Sequence, residues 1–528
     1  MIFIRRHAYL TNIFVFMEIV SALPWWIWPI AILLLIGIKD VFFNSKHTIK
    51  HNFPVVGHIR YLLEKIGPEM RQYIVANNRE ELPFNRSERS WIYASSKREN
   101  NYEGFGTDKD IHSPNFHFIK PQMFPFRVQA GHPNESDPDF LPVAKVIGAH
   151  HNRKKPFRPK SAINIGAMSY GSLSAKAVEA MNVGSLKSGC IHNTGEGGLS
   201  MYHSNGADVI FQIGTGYFGV RDEDGNFSFD KAEKIAENNP FVKAFEIKLS
   251  QGAKPGKGGV LPASKISAEI AEIRHIPKGQ AALSPHYHSA FSNVDELLAF
   301  IEELSKRTGL PVGIKSAVGK LDYWHELAKK MKERNVGPDY IAIDGGEGGT
   351  GAAPPSFADH VSLPFFYAFS SVYRVFQEYN MEKNIVWVGS GKLGLPAKAI
   401  KAMALGVDMI YVAREAMMSI GCIQAQVCHT NRCPAGVATQ NKWLQNGIHV
   451  PEKSDRLAQY MKTFRKEVID LTHAAGYEHP CEFNTCDIDI SMGDSNTTQT
   501  MEKCFGYTKT PVEFSGMRSY WEEHHGGD

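Results

Sequence analysis

Three of the seven cysteines crowd into one segment, GCIQAQVCHTNRCPAGVATQ at residues 421–440: Cys422, Cys428 and Cys433, with Pro434 directly after the third. Thiolate is the soft ligand that iron–sulfur clusters need, and closely spaced cysteines ending in Cys-Pro are one way of presenting it. A structural zinc site ordinarily takes four ligands. Three thiolates suit a cluster of the three-iron, four-sulfur type. With His429 as a fourth ligand the set would suit zinc, and three reduced, partly buried thiols beside a helix would read the same way. Spacing alone leaves these open.

Glycine clusters form a second signal: MSYGS (168–172), NTGEGG (193–198), QGAKPGKGG (251–259), DGGEGGTGAAP (344–354) and GSGKLG (389–394). Glycine lets backbone N–H groups approach a ligand closely and turn toward an anion. One such cluster is only a tight turn; all of these follow apolar runs, which points to a ligand. No Walker A lysine motif and no GxGxxG fingerprint is present, so a mononucleotide fits better than ATP or a dinucleotide. Lys315 closes the run PVGIKSA. A lysine among apolar neighbours is costly unless it meets negative charge. A reduced flavin offers such charge; an ion pair on a barrel rim is the alternative.

The elements that must hold these residues are short apolar runs at 162–167, 190–193, 208–213, 242–249, 312–316, 340–344, 385–390 and 409–413. Helix-like stretches at 174–187, 294–308, 323–335 and 396–405 lie between them. Strands alternating with helices imply a parallel sheet. Eight runs over about 250 residues predict an α/β fold, a (β/α)₈ TIM barrel, at residues 161–440, with a doubly wound sheet as the alternative. In a barrel, function collects where strands end, and phosphate is often bound late in the chain, which fits the glycines after the sixth and seventh runs. Residues 44–160 read as an irregular region packed on the barrel, with no site of their own. Residues 441–528 read as a helical, then loop-rich extension, whose Cys481, Cys486 and Cys504 are too scattered to assign.

The balance of 58 basic and 55 acidic residues gives a formal net charge of +3 and no electrostatic case for nucleic-acid binding. Seven cysteines among 528 residues are no disulfide scaffold and point to a reducing compartment.

The N-terminus departs from this average. Residues 23–38, LPWWIWPIAILLLIGI, carry no charge, and apolar residues continue upstream to Leu10. Together with Val41–Phe43 the run reaches the roughly 20 residues a spanning helix needs. Trp25, Trp26 and Trp28 sit where an interfacial aromatic belt would lie, and no cleavage site follows. Residues 1–43 are therefore expected to form an uncleaved single-pass membrane anchor. Lys39, Lys46, Lys50 and Arg60 follow the run and only Arg5 and Arg6 precede it, which places the barrel in the cytoplasm. A start at Met17 would strengthen that orientation.

GAMSYGSLS, NTGEGG, EIKLSQGAKPGKGG, VGIKSAVG, IDGGEGGTGAAP, VGSGKLG and the cysteine segment together resemble the FMN-binding synthase domain of glutamate synthase, in family order. The resemblance spans roughly residues 161–440 and suggests the family's stand-alone, membrane-anchored branch. It implies FMN in a (β/α)₈ barrel with a 3Fe-4S cluster beside it, held by Cys422, Cys428 and Cys433. Ammonia and 2-oxoglutarate would condense to 2-iminoglutarate, which reduced FMN would convert to glutamate, an amino-acid biosynthesis reaction. By matching motif, Met168, Ser169 and Gly171 would line the flavin and Lys315 would face its ring. Gly345, Gly346, Gly349, Gly389 and Gly391 would hold its phosphate. Glu196 would stand between the ammonia route and the flavin, and Lys248 and Lys254 would meet the keto-acid carboxylates. Electrons would come from a separate donor, a ferredoxin or a reductase.

Departures from the family pattern matter as much. No cysteine-nucleophile amidotransferase domain precedes the barrel, so glutamine hydrolysis is not expected here and a separate glutaminase would supply ammonia. Tyr217 stands where full-length enzymes carry an arginine, Val260 where they usually carry glutamine, and Lys257 where they carry glutamate. A phenol cannot replace a bidentate guanidinium clamp. The expectation is an oxidoreductase with altered acceptor contacts, acting on 2-iminoglutarate or a related imino acid. The alternatives are a non-catalytic electron-carrier or assembly subunit, and a hydroxy-acid oxidase using His286 or His288.

Overall fold

The computed structural model describes residues 24–43, 48–493 and 497–525. Contacts divide the chain into two units, 1–87 and 88–528.

In the larger unit eight parallel strands close into a barrel: β1 (Ile163–Ile165), β2 (His192–Asn193), β3 (Val209–Ile213), β4 (Val242–Lys248), β5 (Val312–Ser316), β6 (Tyr340–Asp344), β7 (Val386–Ser390) and β8 (Met409–Val412). They are the apolar runs read from the sequence, in order. Closure pairs β8 with β1, Ile410 opposite Ile163. Strands β3, β5 and β6 are buried at every position. Helices cover one face and the barrel core the other, so these runs are largely apolar rather than alternating.

A charged side chain lies within the barrel wall on β4. Glu246 is fully buried and accepts from Asn193 Nδ2 at 2.9 Å, Gln212 Nε2 at 2.7 Å and Tyr411 Oη at 3.0 Å. Three donors from three other strands compensate its lost hydration and tie the strands together.

Helix Ala175–Ser188, capped by the Ser174 hydroxyl, packs against the long helix Val450–Ala474. That helix buries Leu457, Tyr460, Met461 and Phe464, each worth about 1.5–3 kcal/mol. Tyr460 Oη donates to Gly394 O at 2.9 Å, beyond β7. Between β4 and β5 lies an insertion that the alternation of strand and helix did not predict. It holds the antiparallel pair Val260–Leu261 and Ala282–Leu283 and the short helix Ala268–Arg274.

The smaller unit overturns one expectation. Its first described helix runs Ile27–Phe42, 16 residues, or about 24 Å of rise. Among the described residues no helix is long and apolar enough to cross a membrane. The helix also includes Lys39 and Asp40. Asp40 is buried, accepting from Val55 N–H at 3.1 Å and standing 2.9 Å from His58 Nε2. A carboxylate folded back onto its own unit is part of a helical packing arrangement, which an apolar count does not register. The single-pass anchor is withdrawn, and the cytoplasmic orientation of the barrel, which rested on it, goes with it. The part of that expectation at residues 1–23 lies outside the described residues.

Candidate active site

The strand ends bring Glu196, Lys248, Lys254 and Lys315 to one end of the barrel. Register pairs Lys248 with Lys315 on β4 and β5. Glu196 is walled by glycine: a Cβ at Gly214 would lie 2.6 Å from its Oε2, and one at Gly259 2.8 Å from its Oε1. Two loops thus close on the carboxylate at distances only glycine permits. Lys248 Nζ stands 3.0 Å from Glu196 Oε1 and donates to Gln251 Oε1 at 2.6 Å. Lys254 Nζ donates to Ala352 O at 2.7 Å. Burial pushes the Glu196 carboxyl up, but Lys248, Arg274 and Lys254 outweigh it and hold it below the ordinary carboxylate value. Burial, then Lys248, pulls Lys254 below the ordinary lysine value. Glu196, Lys248, Gln251, Lys254, Gly259 and His286 help line a narrow cleft of about 20 Å³.

Lys315 is 6% exposed and its Nζ lies 3.6 Å from Asp344 Oδ2. Asp344 also accepts from Gly252 N–H at 2.9 Å and the Ser390 hydroxyl at 2.8 Å. One carboxylate at the end of β6 therefore gathers the loops after β4 and β7 and the lysine of β5. Part of Lys315's charge is met within the protein.

The glycine loops pack closely on one another and on neighbouring side chains. Gly345 N–H is committed to Ser390 O at 2.8 Å and Gly346 N–H to Leu363 O at 2.8 Å. A Cβ at Gly349 would lie 2.7 Å from Arg414 Cδ, so that loop rests directly on a buried-stem guanidinium. Gly389 and Gly391 stand over Phe365 and Gly345. On the other side, the loop holding Met168, Ser169 and Gly171 packs backbone to backbone on Gly195, where a Cβ would lie 2.5 Å from Ser169 N.

Cys422, Cys428 and Cys433 come close enough for their charges to interact. Burial first, then Cys428 and Cys433, push the Cys422 thiol up to about 12. His429 is exposed, and among the described residues no group of three or more His, Cys, Asp or Glu is placed to hold a single metal ion. Thiolates that each hold a different iron of a cluster stand farther apart than ligands of one zinc. The three thiols are a donor set of the soft kind that iron takes in clusters. The segment is bound to the loop after β1: Ser174 N–H donates to Val437 O at 2.8 Å, and Gln440 Nε2 to Gly171 O at 3.1 Å and Leu173 O at 2.8 Å.

Sequence reasoning missed Arg274. It ends the helix of the β4–β5 insertion, is 3% exposed, donates to Tyr170 O at 3.0 Å and stacks on Phe218 at 4.9 Å. Burial lowers its pKa to about 10, with Glu196 opposing. Its Nε and Gln251 Nε2 are buried without a hydrogen-bond partner among the described residues. Nothing around EIRH marks a ligand; only the fold carries that helix end back to Glu196.

Tyr217 does not line the cleft. It is 1% exposed, and its Oη accepts from Ala290 N–H at 3.1 Å and lies 3.2 Å from His288 Nδ1. His288 Nε2 donates to Lys248 O at 3.0 Å. Both imidazole nitrogens are thereby committed, and burial lowers the His288 pKa to about 4. His286 sits at the cleft with Nδ1 3.0 Å from Gly256 O. Val260 is half exposed on the inserted hairpin, and Lys257 lies over the Phe357 ring at 5.3 Å.

Residues 124–478 match the family described as the conserved region in glutamate synthase. A glutamate synthase large subunit-like protein, YerD, of Bacillus subtilis is 41% identical over 487 residues, covering 86% of this chain and 92% of that protein. An archaeal glutamate synthase [NADPH] of Methanocaldococcus jannaschii is 34% identical over 315 residues, covering 60% of this chain and 59% of that one. The chain therefore spans about three fifths of the archaeal enzyme's length. A mandelate oxidase structure is similar at a TM-score of 0.42 and 13% identity, covering 81% of this chain and 92% of that one.

Proposed function

Because the chain belongs to the glutamate synthase family, we propose that it is an FMN- and iron–sulfur-dependent oxidoreductase that reduces 2-iminoglutarate, or a closely related imino acid, to the amino acid. The observation that carries this reading is the cationic set around Glu196. Lys248, Lys254 and Arg274 bring three positive charges to one carboxylate, and two buried N–H donors beside them lack partners among the described residues. That excess suits an anionic acceptor, met by the lysines at the cleft, with the buried Arg274 guanidinium behind Glu196 adding a further positive charge.

FMN supplies the hydride when bound. The loops at 168–171 and 195–197 would line one side of it, Lys315 would face the ring, and the 345–349 and 389–391 loops with Arg414 would hold the phosphate end. Cys422, Cys428 and Cys433 would hold the three-iron cluster. Glu196 pairs with Lys248 at 3.0 Å, and the pair fixes where an acceptor carboxylate can sit. A carboxylate held between fixed cations loses orientational freedom before reaction. A separate ferredoxin or reductase would deliver electrons, and a separate glutaminase the ammonia.

Neither competing reading gains support. The electron-carrier reading needed a degraded acceptor pocket, but Tyr217 and Val260 lie outside the cleft lining. A hydroxy-acid oxidase needs a histidine free to take a proton; His288 is fully committed, which leaves that reading His286 alone, its Nδ1 against Gly256 O.

The test is anaerobic. The full chain, reconstituted with FMN, iron and sulfide, is photoreduced and mixed with 2-oxoglutarate and ammonium. Flavin reoxidation with stoichiometric glutamate is expected. Flavin that stays reduced with every imino acid offered would overturn the reading.

A further inference from the structure

Lys265 is a charged group that the sequence motifs did not single out. It is 3% exposed, on the short turn Ala263–Lys265 of the β4–β5 insertion. Its Nζ donates to Ser172 O at 3.1 Å, in the flavin-side loop, and to Ala438 O at 2.9 Å, in the cysteine segment. No carboxylate pairs with it among the described residues. An ammonium has three donors. Two here go to neutral carbonyls, which orient the charge without neutralising it. Burying an uncompensated ammonium costs several kcal/mol. Cys428 and Cys433 lie close enough to act on its charge, opposing the lowering that burial imposes, and as cluster-bound thiolates they would compensate it.

We propose that Lys265 is the buried counter-charge of the Cys422–Cys428–Cys433 centre and raises its reduction potential, while bridging that centre to the flavin-side loop. This rests on the reading of the cysteines as cluster ligands. Three thiolates give such a centre net negative charge in either redox state. Reduction adds one electron and no atom, so the reduced form is the more negative and gains more from a fixed cation nearby. Low dielectric around the ammonium makes that difference large. The two carbonyl bonds fix where the charge sits relative to both neighbours. The segment's other bonds to the same loop, from Gln440 and to Ser174, hold the second wall in place.

The experiment is a redox titration of the reconstituted full chain, followed by the paramagnetic signal of the oxidised cluster. Lys265→Met removes the charge and keeps the stem; Lys265→Arg keeps the charge. The Met variant is expected to shift the one-electron equilibrium toward the oxidised form at least tenfold, a fall of about 59 mV, with the Arg variant close to the unsubstituted protein. An unchanged potential in a cluster-loaded Met variant overturns the proposal. A Met variant that holds no cluster while the Arg variant does supports the counter-charge role, and equal loss in both overturns it. Absence of any cluster in the unsubstituted protein defeats the underlying cofactor reading, and the proposal falls with it. That result is distinguishable because it precedes any substitution.

Discussion

Glu196 and Lys248 face each other at 3.0 Å across the ends of two barrel segments, and the carboxylate also feels Arg274 and Lys254. Removing the negative charge with Glu196→Gln leaves three cations without it. Breaking a buried pair costs about 3 kcal/mol or more. Thermal unfolding should occur at lower temperature, and 2-oxoglutarate should restore part of the loss. Dicarboxylate affinity should rise about tenfold, some 1.4 kcal/mol, while turnover falls. Titration by flavin absorbance checks the first and steady-state assay the second. Weaker binding in the variant would count against a cationic acceptor site.

Arg274, which no motif marked, lies buried beside Glu196, while Tyr217 is bonded to Ala290 N–H and faces His288 away from the cleft. Arg274→Lys removes the fork but keeps a charge, and should weaken 2-oxoglutarate binding about ten- to a hundredfold with flavin retained. Tyr217→Phe leaves Ala290 N–H and His288 without their hydroxyl and should cost about 1–3 kcal/mol of stability. It should leave acceptor affinity unchanged. Denaturant unfolding and ligand titration on the two variants separate the effects.

Gly252 is the tightest junction between loops. A Cβ there would lie 1.8 Å from Gly345 O, backbone against backbone. Gly252→Ala should force the QGAKPG and DGGEGG loops apart and break the Gly252–Asp344 bond. The expected result is a folded barrel with strongly reduced FMN retention after gel filtration. Full flavin content in this variant would show that the two loops move freely.

Acid should destabilise the protein through its buried neutral histidines. His288 and His479 each have pKa values lowered to about 4 by burial. The unfolded chain takes up protons near the ordinary histidine value of about 6.5, while the folded chain resists until about 4. Stability is therefore fully present above pH 6.5 and is lost as pH falls toward 4, by up to about 3 kcal/mol per group. His288→Gln should flatten the pH dependence of urea midpoints within that window. An equally steep dependence would point to other groups.

The eight strands were legible because most are short, largely apolar runs and several are followed by glycine, a pattern that burial on both faces favours. The site was legible where chemistry and local sequence coincide, as in Glu196 within NTGEGG or Lys315 at the end of β5. Arg274 and Lys265 were not, because their surroundings are ordinary helix and turn sequence. They matter only through where an insertion folds. Asp344 was passed over for the opposite reason: it opened a glycine run that drew attention to itself, while its carboxylate does the gathering. The apolar N-terminal stretch misled because hydropathy counts side chains and ignores where a helix starts. Helix Ile27–Phe42 begins after Pro24 and takes in Lys39 and Asp40.

The packing of helix Val450–Ala474 on helix Ala175–Ser188 bears on how the chain is made. The first strand–helix unit emerges early in synthesis, yet its outer face is covered only when residues some 280 positions later arrive. Closure of β8 on β1 is similarly remote. At about 5–20 residues per second, a ribosome leaves that apolar face waiting for tens of seconds. Loops that long close slowly, and unpaired strands meanwhile invite association with other chains. The feature that completes the barrel's wall thus makes the nascent chain a candidate for chaperone dependence, and makes residue 440 a poor place to cut it.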